Sequence, residues 1–456
     1  MKRNIISLTA GFLLAFFINP GASAADADTS KVWTLEDCME YAVRNNYNVR
    51  RKLIDQDDYR LDYNRQVLSH LPSISGNVGT GLGFGRGIYE ETNEVITNTN
   101  FNSNYSIGLG LPVFNGLARL NATRMMKVAK LRGVQEQQQV EDLITIEAMK
   151  YYMDVVYKMG VVDHSEEQLG ESREKLREVL RQRDMGLKTS ADVAQIEASV
   201  ASEEYNLIKS KNGLQIAWVR LKDQMNYPLD RALKIDSELD ADIHVGDINE
   251  NVGDIYETAA NILPDAKIAE YSLKSSKLNH SISKGYLYPS INFNAGMSTS
   301  YNTLIGGDYN QRNHTPFFRN LDGNLGKSLS ASLNIPIFNG LSNRINVKKT
   351  RNEVKRSEII LDETMRQIHS AIEQAVIDLE SAQEQYQQAQ KNVTSTEWAY
   401  RLNKRKYEEG LTTAIEFQTS SNQLLMAKVE LLNSRLTYIA QRRIVNYYKG
   451  IPLLEF

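Results

Sequence analysis

The chain has 456 residues, a formal net charge of −3 and one cysteine, Cys38. So little net charge gives no basic face for nucleic acid, and no nucleic-acid partner is expected. One thiol cannot form an internal disulfide, and Cys38 is expected to pack as a small hydrophobe on a helix.

The N-terminus reads "MKRNIISLTAGFLLAFFINPGASA", with Lys2 and Arg3 ahead of an apolar run and small residues at Ala22-Ser23-Ala24. Residues 1–24 are therefore predicted to be a secretory signal peptide. The apolar run, Ile5 to Ile18, is short for a bilayer span of about 20 residues. No later segment reads as a transmembrane helix, so a mature chain that enters a membrane must do so as a closed β-barrel.

The phrase "LPVFNGLARLNATR" (111–124) returns as "IPIFNGLSNRINVK" (335–348). Pro112 to Pro336 is 336−112 = 224 residues, and the same step relates Gly186-Leu187 to Gly410-Leu411 and Pro228 to Pro452. Upstream, Pro72 to Pro289 is 289−72 = 217. The chain is thus a tandem duplication, with repeat 1 at 25–228, a connecting segment at 229–250 and repeat 2 at 251–456. Repeats of this length are a doubled domain rather than a solenoid.

Each copy is expected to open with a capped helix, started by Thr34 and Asp37 in one and by Asn251 and Asp254 in the other. A β-hairpin follows, at 71–114 and again at 288–338. In the first, Ile74, Val78, Leu82 and Phe84, and then Tyr105, Ile107, Leu109, Leu111 and Val113, alternate with Ser, Asn and Gly. In the second, Ile291, Phe293, Ala295, Met297 and Tyr301, and then Leu329, Ala331, Leu333, Ile335 and Ile337, do the same. One apolar face against one small polar face suits lipid outside and water within. The strands are expected to run about 10 residues, joined by polar loops at roughly 86–103 and 302–326. Pro72, Pro112, Pro289 and Pro336 are placed at strand–helix junctions, where a missing ladder donor costs least. Asn115-Gly116 and Asn339-Gly340 then turn each strand into a helix.

Those helices are predicted at 116–184 and 340–408. Leu361, Met365, Ile368, Ile372, Ala375, Leu379, Ala382, Tyr386, Ala389 and Val393 step by four and three without a miss, the pattern of left-handed coiled-coil packing. Copy one keeps Ile144, Ala148, Tyr151, Val155, Val162, Leu169 and Leu176. Each rod would be on the order of 100 Å long. Returning helices are predicted at 189–226 and 413–449, each opened by a capping-box spacing, Thr189 with Asp192 and Thr413 with Glu416. The fold class is mixed α and transmembrane β: two β-hairpins and long coiled-coil helices per subunit. Four strands cannot close a barrel, whereas three chains supply twelve, within the range observed for such barrels.

This arrangement resembles the TolC family of outer-membrane factors, the exit ducts of tripartite efflux pumps and type I secretion systems. The features that carry it are the signal peptide, the duplicated strand–strand–long-helix–short-helix order, the Pro/Phe-Asn-Gly junctions and the Gly186-Leu187…Asp192-Val193 tip. The resemblance implies a homotrimer, a 12-stranded outer-membrane β-barrel continued by a periplasmic α-helical barrel, with 229–250 in an equatorial belt. It also implies a periplasmic adaptor (membrane fusion protein), an inner-membrane transporter and outer-membrane lipid as partners. By the same resemblance Asp192, Tyr407 and Glu416 would form the periplasmic gate, with Tyr407 hydrogen-bonded to Asp192. The turns Gly186, Leu187, Gly410 and Leu411 would contact the adaptor. Thr412 and Thr419 stand where some members have an arginine and a second aspartate.

Six scattered histidines, with no HExxH, no CxxC and no phosphate loop between a strand and a helix, give no enzyme signature. No metal and no cofactor is expected. The alternative function is a periplasmic or surface coiled-coil structural or adhesion protein, which would have no need of hairpins with a lipid-compatible face.

Overall fold

The structure is a computed structural model, and it describes residues 31–89, 93–237, 250–305 and 316–454. The predicted signal peptide (1–24) and most of the connecting segment lie outside these residues. In chain order the first repeat holds β1 (Val32–Trp33), α1 (Leu35–Asn45), α2 (Tyr47–Leu68), β2 (Ser73–Tyr89), β3 (Glu94–Asn115), α3 (Ala118–Asp184) and α4 (Ser190–Met225). After β4 (Lys234–Ile235), the second holds α5 (Val252–Ile262), α6 (Pro264–Gly285), β5 (Ser290–Ile305), α7 (Phe317–Gly323), β6 (Gly326–Asn334), α8 (Ser342–Glu408) and α9 (Ala414–Tyr448).

The opening helix of each copy is two helices. Asn46 is extended and its side chain accepts from the Asn48 N–H, ending one helix and capping the next. In copy two the break falls at Leu263, the same 217-residue step (263−46), and Pro264 starts α6. Proline lacks the N–H that would continue α5 yet suits a first helical position.

The four long strands form one antiparallel sheet, ordered β2-β3-β5-β6. Three of them, at 17, 22 and 16 residues, exceed the expected length of about 10. The segment expected as a loop at 86–103 is mostly strand, paired from Leu82–Phe101 up to Tyr89–Glu94. Its Asn and Thr side chains look loop-like, but the β2–β3 ladder pairs the backbone without them. In the second expected loop, 302–326, β5 runs on to Ile305 and the short α7 folds back over the sheet, Phe317 packing on Tyr105 and Tyr301. Pro112 is not past the end of its strand. It pairs with Asn292 beside a bulge before Phe114, a setting that tolerates proline inside a sheet.

At both strand-to-helix turns a glycine and a leucine take left-handed backbone: Gly116 and Leu117 at φ 63° and 64°, Gly340 and Leu341 at 63° and 62°. α2 leads into β2, β3 into α3, α6 into β5 and β6 into α8. The helices pack in the matching order, α2 on α3, α3 on α6 and α6 on α8, while α4 and α9 return along α3 and α8. Ile368, Ile372, Ala375, Leu379, Ala382, Tyr386 and Ala389 are buried along α8, and Ile144, Ala148, Val155, Val162 and Leu169 along α3. The heptad positions are the core.

Near the middle, β1 and β4 pair in parallel. The Tyr152 hydroxyl donates to the Asp236 carbonyl at 2.6 Å and fixes this small sheet to α3. Cys38 is fully buried in the same core, and burial pushes its thiol pKa well above the usual range. No helix among the described residues is long and apolar enough to cross a membrane.

Candidate functional site: sheet faces and the hairpin tips

Register decides which side chains share a face. Ile74, Leu109, Ala295 and Leu329 lie in one row across the sheet, and Gly76, Ile107, Met297 and Lys327 in another. Apart from the patch at Tyr105 and Tyr301 that α7 covers, this face stays open in the single chain: Val78 is 72% exposed and Leu329 73%. So much contiguous apolar surface marks an interaction with lipid or protein. The opposite face carries rows such as Ser75, Gly108, Gly296 and Ser328. Both outer strands, β2 and β6, have an unpaired edge.

The two helical hairpins converge at Gly186 and Gly410. Each tip is a Schellman turn: Gly186 N–H donates to Arg183 and Leu187 N–H to Gln182, as Gly410 donates to Tyr407 and Leu411 to Lys406. Both glycines sit at φ 75°, a conformation that costs a Cβ-bearing residue energy. Leu187 and Leu411 project into solvent, 69% and 72% exposed.

Asp192 and Glu416 close capping boxes. Asp192 accepts from the Thr189 N–H and hydroxyl at 2.8 Å each. Glu416 accepts from the Thr412 hydroxyl and the Thr413 N–H. These bonds hold both carboxyls below the usual carboxylate range, chiefly through the Thr189 backbone for Asp192 and the Thr412 hydroxyl for Glu416. Thr412 therefore serves the cap from the position where an arginine stands in some members. Thr419 donates back to the Ile415 carbonyl.

The expected Tyr407–Asp192 hydrogen bond is not formed. The Asp192 bonds run to its own cap, and the buried Tyr407 hydroxyl has no partner. The two residues are still near enough to feel each other. Burial first, then the charges of Glu178 and Asp192, push the Tyr407 pKa up to about 12. What fixes Tyr407 is its ring. It stacks on Phe417 at 5.4 Å and carries the Lys175 ammonium 3.4 Å from its centroid. Lys175 is also paired with Glu178 at 2.9 Å.

A second junction lies one helical turn, about 6 Å, farther up α3 by its rise per residue. Glu171 accepts from the Tyr400 hydroxyl of α8 at 3.0 Å and from Ser421 of α9 at 3.3 Å. Ser421 also donates to Gln168, which in turn donates to Asn422. One turn of α3 thus holds both helices of the second hairpin. A cleft of about 800 Å³ runs alongside both junctions, lined by Glu171, Lys175, Arg181, Tyr400, Lys404 and Glu408 among others. Sequence reasoning missed Lys175, Phe417, Glu171 and Tyr400. Tyr400 lies 229 residues from Glu171, and no spacing rule reaches that far.

Residues 256–445 match the family model described as outer membrane efflux protein. The toluene efflux pump outer membrane protein TtgC of Pseudomonas putida is 21% identical over 449 residues, covering 95% of this chain and 87% of the relative. Among solved structures, the CmeC outer membrane channel of Campylobacter jejuni superposes with a TM-score of 0.75 at 16% identity, covering 91% of this chain and 85% of the other. The outer membrane protein VceC of Vibrio cholerae gives 0.72 at 14% identity, with 91% and 96% covered. The match to the outer membrane efflux protein family lies in the second repeat, and the whole chain shares the fold of these outer-membrane channels. These relatives and solved structures are named as outer-membrane proteins.

Proposed function

We propose that the chain is the exit duct of a tripartite efflux or type I secretion system. It conducts substrates passively from the periplasm to the outside. The observation that carries this reading is the shared order of strands and helices, β2-β3-β5-β6 over α2-α3-α6-α8, with an open edge at each side of both layers. Three copies joined edge to edge give a twelve-stranded barrel that runs directly into a helical barrel. The names of relatives support efflux, toluene being the substrate that one relative's name carries.

In this reading Asp192, Tyr407 and Glu416 lie at the periplasmic gate, and the apolar tips Leu187 and Leu411 meet a periplasmic adaptor. An inner-membrane transporter supplies the energy, so the duct itself hydrolyses no nucleotide. Native mass measurement of the detergent-extracted protein, with conductance in planar bilayers, tests the proposal. A trimer that conducts is expected, and a stable inserted monomer would overturn it. A coiled-coil adhesin would instead be recovered without a conducting, sarcosyl-insoluble form.

A further inference from the structure

Along β5 the apolar face runs from Ile291 to Tyr301, a step of 301−291 = 10 residues. At about 3.3 Å per residue and a tilt of about 40°, this spans about 25 Å, the height of the apolar band on an outer-membrane barrel. At the upper end of that span the face changes character. Ser103, Tyr105, Thr299 and Tyr301 occupy adjacent rows there, and α7 lies over them. Phe317 packs edge-on against Tyr105 and Tyr301, with centroids 6.3 and 4.9 Å away. The Thr299 hydroxyl donates to the Leu321 carbonyl, and the Asn324 amide donates to the Ser300 carbonyl. Ser103 is left fully buried.

Aromatic rings at the boundary between acyl chains and headgroups are general to such barrels. What α7 adds is charge. Phe317 and Leu321 are held against the sheet, while Phe318 is 82% exposed and Arg319 beside it is exposed too. Lys327, at the start of β6, is the one charged side chain on the apolar face along these ten positions and those paired beside them. It pairs with Met297, which makes it a diagonal neighbour of Thr299, about 7–8 Å away on the same face. Arg319 and Lys327 therefore flank one stretch of β5. Among the described residues neither has a carboxylate partner. Asp322 is the one acid on α7, three residues after Arg319.

Resting on the duct reading, we propose that α7 and the head of β6 form a docking site for the phosphate of an anionic lipid in the outer leaflet. Phe318 enters the acyl region, and Arg319 and Lys327 hold the phosphate above it. A cation on an apolar wall needs a counter-charge, and the flexible stem of a lysine can carry its ammonium toward the headgroups. A guanidinium fits phosphate oxygens in a two-pronged bond. A zwitterionic headgroup brings its own ammonium, so it satisfies the pair less well. Two cations against one Asp322 leave the patch positive. A lipid held there would clasp α7 against the barrel from outside.

The test takes full-length trimers in neutral detergent, wild type and the double variant Arg319→Gln/Lys327→Gln. Each is incubated with lipid A, with its dephosphorylated form, or with phosphatidylcholine, and bound lipid is read by native mass spectrometry. Wild type should bind the phosphorylated lipid roughly tenfold or more tightly than the other two, as bonds to charged groups require. The double variant should lose that preference while keeping its trimer and its conductance. Phe318→Ser should weaken all three lipids alike, and Asp322→Asn should tighten the phosphorylated one. An unchanged preference in the double variant would overturn the proposal. Displacement of the lipid by inorganic phosphate at matched concentration would overturn it as well, marking a bare anion site. Wild-type chain missing from the outer membrane would instead overturn the duct reading itself.

Discussion

The Lys175 ammonium rests 3.4 Å from the ring centroid of Tyr407, which also stacks on Phe417 and has the Lys188 ammonium at 5.7 Å. The hydroxyl of Tyr407 makes no hydrogen bond. Tyr407→Phe should therefore leave closure intact, because the ring contacts survive and a buried unsatisfied group is removed. Tyr407→Ala and Lys175→Ala should raise single-channel conductance or antibiotic leakage, each losing about 0.5–2 kcal/mol of cation–π energy per subunit. Equal opening by the Phe and Ala variants would return the role to the hydroxyl.

Glu171 joins α3 to both α8 and α9, so the pairwise terms should be coupled. Tyr400→Phe alone removes a hydrogen bond to a charged group, worth about 1.5–3 kcal/mol. Combined with Glu171→Gln, it should cost less than the sum of the single changes, since residues of one network are not additive. A double-mutant cycle on thermal stability and leakage checks this. Strict additivity would mean that the bonds form independently of each other.

On the sheet, Leu329→Arg places a cation on the apolar face, well inside the strands, at a cost of up to about 2–4 kcal/mol if that face meets lipid. Ser330→Arg, one residue away, lies on the opposite face. Only the first should reduce trimer in outer-membrane fractions. Loss of both to the same degree would contradict the assigned faces.

The tips should respond to both extremes of pH. The capped carboxyls of Asp192 and Glu416 titrate below their ordinary values. Their contribution is complete above about pH 4, where the unfolded groups are ionised, and is lost as pH falls through the lowered folded values. Amides in the first turns of α4 and α9 should then exchange faster in acid, and Asp192→Asn should remove that dependence for α4. Tyr407 behaves in the opposite range. Its neutral form is favoured in the fold up to about pH 12, so its contribution falls as pH rises from about 10, where the unfolded phenol ionises. A phenolate absorbance step at the unfolded value, assigned by difference with Tyr407→Phe, would show that the ring is not held as described.

Patterns with a fixed period were legible in the sequence. The four-three steps on α8 name its buried positions, and the period-two alternation names both sheet faces. The 217 and 224 steps locate equivalent turns without any coordinates. Composition misled where pairing, rather than side-chain type, sets the structure, so the Asn/Thr-rich upper strands read as loop. The tip was legible only as local chemistry. Thr189 and Asp192 are three residues apart and their cap can be read off, but Lys175 and Tyr407 meet only because two separate hairpins dock.

The glycine turns carry one more implication. A Cβ on Gly116 would lie 2.1 Å from the Gly285 carbonyl oxygen, because the end of α6 packs directly against that turn. The equivalent Gly340 has nothing within 4 Å. Both turns share the same left-handed backbone, so a residue with a Cβ is strained at either. Only at Gly116 would it also drive the end of α6 away from the start of α3, so the first turn is locked by packing as well as by backbone while the second is held by backbone alone.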